Sequence, residues 1–290
     1  MAPAIEVRGF RFRYRGSATP ALRDVNFEAR DGDVVLVTGP TGSGKSTLLR
    51  ALNGLIPDFY EGEVHGDVRV AGRDVLSLRP NQAATFVGSV FQSPQDQIIA
   101  RTVHRDVAFG LENLGWEKET IIRRVDQSLE TVGLSQFRDQ PTSSLSGGQM
   151  QRLALAGVVA MRPQVLLLDE PASELDPAGR RAILDTLRSL ARTRRRAILI
   201  TDHRLNDLVG FVDRVVVLHQ GQVALDGPPR AVMASPELEA WGVEVPPAIR
   251  VWRRLQERGV DLRCPLTSEE LVNELVPQGR TLSDALEAAA

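Results

Sequence analysis

Gly39-Pro40-Thr41-Gly42-Ser43-Gly44-Lys45-Ser46-Thr47 follows the apolar run Val34–Val37. The stretch fits G-x-x-x-x-G-K-[ST], and a buried strand before it with a helix after it is the setting in which that pattern cradles phosphate. Glycines let consecutive backbone N–H groups turn inward toward phosphate oxygens. A helix starting near Lys45 adds its positive N-terminal end. In such a loop Lys45 reaches the β- and γ-phosphates and the Ser46 hydroxyl ligates Mg²⁺. A merely flexible Gly/Ser loop would need neither strand nor helix, so the stretch implies a nucleoside-triphosphate site in an α/β fold.

Outward from the loop, three more apolar runs match Val34–Val37: Val165–Leu168, Ala197–Ile200 and Val215–Leu218. Consecutive apolar positions suit strands covered on both faces of a parallel sheet. Helical spacing in Gln149–Met161 and Pro177–Arg192 supplies the crossovers. The beginning differs: Ile5–Val7, Phe10–Tyr14, Val25–Glu28 and Val64–Val70 alternate apolar with polar, which predicts antiparallel strands with one wet face. A charged helical block, Arg105–Val132, interrupts the core. After Gly227-Pro228-Pro229, prolines recur at 236, 246, 247, 265 and 277. Short amphipathic helices, Ala248–Arg258 and Ser268–Leu275, lie between them and predict a small C-terminal region. Their apolar residues, such as Ile249, Trp252 and Leu255, look too few for a core of their own and suggest packing on a partner. The basic run 192–196 reads as a solvated helix end.

Composition narrows the function classes. The 290 residues are 42% hydrophobic and 25% charged, which is ordinary globular composition. Lys+Arg number 35 against 37 Asp+Glu, which disfavours a surface built to grip nucleic-acid backbones. A single cysteine, Cys264, allows no intrachain disulfide and fits a reducing compartment. The longest apolar stretch, Leu153–Met161, is less than half a membrane span, and the N-terminus lacks an apolar signal core. Any role at a membrane is therefore expected to be peripheral.

Val165-Leu166-Leu167-Leu168-Asp169-Glu170 places two carboxylates at the end of a buried strand. Beside a phosphate loop, Asp169 suits Mg²⁺, through water, and Glu170 suits the polarisation of an attacking water. Leu145-Ser146-Gly147-Gly148-Gln149 opens a second helix and so forms a second anion-binding turn. One nucleotide does not need both turns, whereas two nucleotides sandwiched between two chains do. A plain N-cap and turn also accounts for these five residues taken alone.

With this pentapeptide, LSGGQ, shortly before the Asp169 strand, the chain resembles the ATP-binding cassette (ABC) family. The resemblance runs along about 225 residues and implies an α/β P-loop NTPase fold. That fold has a RecA-like parallel core, an antiparallel β subdomain and a helical subdomain at about 93–160 within an ATPase domain of 1–228. Residues 229–290 then form a small C-terminal α-helical domain. The resemblance implies that Tyr14 stacks on adenine, although one face of an alternating strand accounts for the same residue. It implies that Gln92 senses the γ-phosphate and Mg²⁺. It also implies that Ser173-Glu174-Leu175-Asp176 forms the D-loop, whose Asp176 crosses a dimer interface or else simply caps the helix at Pro177. His203, within Thr201-Asp202-His203-Arg204 where many relatives read Thr-His-Asp, takes the position of the switch histidine.

Phe91-Gln92-Ser93-Pro94-Gln95-Asp96-Gln97, Asp106–Asn113 and Asp202-His203-Arg204-Leu205 are further similar to the ATPases of energy-coupling factor (ECF) importers. That narrower resemblance implies ATP and Mg²⁺, a second ATPase subunit, identical or paralogous, and dimerisation through the C-terminal domain. It also implies an integral membrane scaffold with a substrate-binding membrane subunit, a place at the cytoplasmic membrane face, and no nucleic acid. An ATPase of another ABC importer class or a soluble ABC protein are the rivals, together with a P-loop kinase that would leave Leu145–Gln149 without a purpose. Ile98, Ile99 and Ala100, bordered by Arg101, form a short apolar patch fit for docking on the scaffold or for turning inward.

Overall fold

The computed structural model describes residues 2–172, 175–194 and 196–275. Four strands form an antiparallel sheet in the order β2-β1-β4-β5: β1 (Ile5–Tyr14), β2 (Leu22–Ala29), β4 (Gly62–Val70) and β5 (Arg73–Asp74). Between them in sequence come β3 (Val34–Thr38) and α1 (Lys45–Leu52). Next are α2 (Pro80–Ala83), β6 (Val87–Val90), α3 (Val103–Asn113), α4 (Lys118–Thr131) and α5 (Gly147–Ala160). The core closes with β7 (Val165–Asp169), α6 (Pro177–Arg194), β8 (Ala197–Thr201), β9 (Arg214–His219) and β10 (Gln222–Gly227). The second sheet runs β10-β9-β3-β8-β7-β6, parallel from β9 to β6, with β10 antiparallel on its edge.

Strand periodicity sorts this sheet's side chains between two cores. Leu36, Leu166, Leu168, Ile198, Ile200 and Val217 face one core together with α3 to α6. Val35, Val37, Leu167, Leu199 and Val216 face the other, shared with α1 and the antiparallel sheet. The four continuous apolar runs are thus buried on both faces, as their composition requires. β6, Val-Gly-Ser-Val, escapes a reading by apolar density because a Cβ on Gly88 would fall 2.4 Å from Val158 Cγ1. The predicted Arg105–Val132 block is two helices, α3 and α4, separated at 114–117.

Beyond β10 lie α7 (Pro229–Ala234), α8 (Glu237–Ala240), α9 (Pro247–Glu257) and α10 (Ser268–Leu275). The expectation that their apolar faces await a partner is corrected here. Ile249, with Val232, Met233, Leu238, Val243 and Val245, joins the main helical core. Leu255 packs with Ala248, Leu262, Leu271 and Leu275 in a small core of its own, against which Trp252 lies while donating to Leu262 O at 2.8 Å. Arg230 ties α10 back to α7 through Glu270 at 2.9 Å. Pro residues between short helices bend the chain so that each apolar stripe folds inward, which periodicity alone does not reveal. Of the basic run 192–196, residue 195 lies outside the described residues, and Arg196 is buried rather than solvated.

Candidate active site

Four neighbouring parallel strands, β3, β8, β7 and β6, end on the same side of the sheet, where ligands gather in open α/β folds. The phosphate loop follows β3, His203 follows β8, Glu170 follows β7 and Gln92 follows β6. Topology therefore assembles residues that are more than a hundred positions apart.

Residues 39–47 leave β3 and enter α1 at Lys45. Gly39 and Gly44 adopt positive φ of 146° and 108°. A Cβ would lie 2.1 Å from Leu218 O at the first and 2.5 Å from Leu22 Cδ2 at the second, so no other residue fits either place. Pro40, Thr41 and Gly42 form the outer bend, and Ser43 N donates to Pro40 O at 3.1 Å. Lys45 Nζ curls back to donate to Gly39 O at 2.7 Å and Pro40 O at 3.0 Å. Burial pulls its pKa down, while Glu170, Asp169 and Asp202 oppose that shift.

Glu170 links the residues gathered at these strand ends. Its Oε2 accepts from Gln92 Nε2 at 3.1 Å, and His203 Nδ1 lies 3.0 Å from its Oε1. Its φ of 49° is unusual for a side-chain-bearing residue and is pinned by a bond from its own N–H to Thr201 O at 2.9 Å. Asp169 accepts from the Thr201 hydroxyl across the β7–β8 register pair. Burial pushes the carboxyls of Asp169 and Asp202 up, and Glu170 pushes both further.

A cavity of about 490 Å³ carries Ser46, Gln92 and Asp169 on its wall with Arg50, Phe59 and Tyr60. The donors are a hydroxyl, an amide carbonyl and a carboxylate whose charge is disfavoured by burial, an all-oxygen set that fits Mg²⁺. Tyr14 is half-buried. Its hydroxyl lies 3.0 Å from Thr47 Oγ1 and accepts from Arg50 at 2.8 Å, while its ring meets Phe12 edge-on.

The signature turn builds α5. Ser146 caps it, and Gln149 Oε1 accepts from Ser146 N at 2.8 Å in a reciprocal box. Leu145 is buried beneath, Gly147 starts the helix, and Gly148 lies against Leu175, whose Cδ2 would be 2.8 Å from an added Cβ. Ser173 and Glu174 lie outside the described residues. Asp176 caps α6, accepting from Gly179 N at 2.7 Å.

Two partners, Thr201 and Arg50, lie beyond the sequence reading, and a third, Gln97, which the sequence offers as a docking side chain, takes a different contact. Thr201 was legible as a polar residue ending an apolar strand beside Asp202-His203. Arg50 sits one helical turn beyond Ser46, on the face that meets Tyr14. Gln97 accepts from Phe91 N at 2.7 Å and donates to Ser89 O at 3.0 Å, so it braces the segment after Gln92 rather than facing outward. No local pattern announces that contact.

A family model described as ABC transporter matches residues 22–173. A Pyrococcus abyssi protein with the provisional name ABC transporter ATP-binding protein is 40% identical over 277 residues, covering 95% of this chain and 99% of its own length. A Methanosarcina mazei protein with the same provisional name is 42% identical over 269 residues, 92% of this chain but only 45% of that protein. Among solved structures, cbiO1 from Clostridium perfringens, described as part of the ABC transporter complex cbiONQ, superposes with a TM-score of 0.74 at 31% identity. That match covers 89% of this chain and 98% of the other. A dimeric ATP-binding cassette in a post-hydrolysis state bound to ADP and Pi gives a TM-score of 0.69 at 25% identity, over 78% of this chain and 99% of that one. With a phosphate loop, two strand-end carboxylates and a capped LSGGQ helix in place, this chain belongs to the ABC transporter family as an ATP-binding, ATP-hydrolysing subunit.

Proposed function

We propose that this ATPase drives an importer of the ECF type from the cytoplasmic face of a membrane, with a vitamin or a transition-metal ion as cargo. It would work as one of two ATPase subunits gripping an integral scaffold and a substrate-binding membrane subunit. Gln92 carries the reading: its amide holds the carboxylate of Glu170, and the chain beyond it leaves the core for an exposed segment where Ile99 is 64% accessible. The cbiO1 likeness supports the same subgroup.

In this reading the loop N–H groups of 39–47 and Lys45 bind the triphosphate, and Tyr14 offers a ring for adenine. Glu170 orients the attacking water while Gln92 and His203 fix its carboxylate. Ser46, Gln92 and Asp169 would hold Mg²⁺, which when bound neutralises charge on the β- and γ-phosphates. Leu145–Gln149 and Asp176 face the partner's nucleotide, so closure requires ATP at the interface. The C-terminal domain, 229–290, supports the pair, with Val272 on its outer side.

Affinity capture of the full chain from native membranes tests the whole. Recovery with integral proteins, and ATP hydrolysis by that complex, is expected. A chain recovered from the soluble fraction alone, or bound to nucleic acid or ribosomes, would overturn the importer reading and leave the ATPase assignment standing.

A further inference from the structure

The turn between β9 and β10 presses on the outside of the phosphate loop. Gly221 N donates to Ser43 O at 3.2 Å, and Leu218 O occupies the space that a Cβ on Gly39 would need. From the other side, Arg23 N donates to Gly221 O at 2.7 Å, which fixes the turn against β2. The loop's curvature therefore depends on where this turn sits.

His219, the last residue of β9, is stacked under Trp241, with ring centroids 5.2 Å apart and planes 22° from parallel. The backbone that carries Trp241 is held in place. Its main-chain N–H donates to Glu237 O at 3.0 Å, and Val243 N closes the turn on Leu238 O at 2.9 Å. Leu238, Val243 and Val245 around it are buried in the main core. The next residue, Gly242, lies close to the loop, since an added Cβ there would come within 3.9 Å of Pro40 Cβ. A continuous set of contacts thus runs from α8 through Trp241 and His219 to Ser43 and Gly39.

We propose that Trp241 is a positioning residue for the phosphate-binding loop: stacked on His219, it holds the β9–β10 turn in the place that keeps the loop N–H groups aimed at the nucleotide. The proposal rests on the reading of residues 39–47 as the ATP site. The C-terminal region, through this one indole, then sets how tightly the subunit holds ATP.

The test compares wild type, Trp241→Ala and Trp241→Phe in the full chain, by calorimetry with MgATP and by steady-state hydrolysis. Loss of the stack in Trp241→Ala should weaken ATP binding and raise KM by roughly three- to tenfold, with kcat held. Trp241→Phe, which keeps a ring on His219, should restore most of the affinity. Wild-type Kd and KM in Trp241→Ala, or a loss confined to kcat, would overturn the proposal. Failure of the wild type itself to bind ATP would strike the site reading instead. A second measurement guards against a variant that does not fold. With Trp116→Phe and Trp252→Phe in place, Trp241 is the remaining tryptophan. Removing the stack from the other side, with His219→Ala in that background, should shift its emission and weaken ATP binding as Trp241→Ala does; an unchanged spectrum with unchanged affinity would overturn the role.

Discussion

His203 Nδ1 lies 3.0 Å from one carboxylate oxygen of Glu170, and the other oxygen is taken by Gln92 at 3.1 Å. The carboxylate is thereby fixed in orientation through both oxygens, which is what a water-orienting group needs. Glu170→Gln keeps its shape and both neighbours but removes the basic oxygen. Turnover in the partner-bound complex should fall about 10²- to 10⁴-fold, with ATP binding retained. His203→Ala should also lower kcat, and the double variant should cost less than the product of the two losses, because both act on one carboxylate. Phosphate release and nucleotide binding on the same preparations check this, and wild-type turnover in Glu170→Gln would remove Glu170 from its role.

Lys45 is held among its own loop carbonyls at a cost. Its lowered pKa means that the fold disfavours the ammonium relative to water. The penalty is therefore in full force below the lowered pKa, and it fades as pH rises through that value toward 10.5. Lys45→Met should raise the melting temperature of the nucleotide-free chain at neutral pH while abolishing tight ATP binding. A lower melting temperature would show that the bonds to Gly39 O and Pro40 O outweigh the desolvation of the charge.

The parts of this molecule legible in sequence are those where chemistry is local. The phosphate loop needs its glycines in order, Ser146 and Gln149 close a box within one helical turn, and runs such as Leu166–Leu168 are apolar because both faces are covered. Asp176 shows the limit: its cap on Gly179 was legible, and a role across a dimer interface rests on resemblance. What could not be read depends on long-range contact. Ile249 and Leu255 look like a free apolar stripe until the Pro-bent chain folds them into two different cores. Trp241 meets His219 for no reason visible in either neighbourhood.

Asp106 offers a pH-dependent prediction near the Gln92 segment. One oxygen accepts from both Ile99 N, at 2.8 Å, and Ala100 N, at 2.9 Å, tethering the exposed stretch to α3. Burial nevertheless pushes its pKa up, so the folded state binds the proton more tightly than the unfolded chain does. Stability from this group is thus greatest below 3.8 and declines as pH rises through the raised value. Asp106→Asn keeps an acceptor without the charge and should be as stable as wild type or more so at neutral pH. That advantage should shrink as pH falls toward 3.8. Asp106→Ala leaves two backbone donors unmatched and should cost about 1–3 kcal/mol. Urea unfolding of the three chains across pH separates these outcomes.

The two isoleucines of the same stretch divide the docking question between them. Ile98 is packed against the main core, whereas Ile99 is 64% accessible, close in sequence to Phe91 at 45%. An aspartate at 98 would place a charge against apolar neighbours, so Ile98→Asp should lower stability by a few kcal/mol, roughly the cost of burying an unpaired carboxylate partly relieved by solvent. It therefore cannot report on docking. Ile99→Asp changes only the exposed face: Asp106 accepts from the backbone of residue 99, not its side chain, and Gln97 still braces Phe91. Melting temperature and ATP affinity of the isolated subunit should match wild type. Recovery of the membrane partners, or transport in the assembled complex, should fall if this face meets the scaffold. Full recovery and full transport with Ile99→Asp would move the point of contact to another exposed apolar residue, such as Phe59, which is 70% accessible and lines the cavity with Gln92.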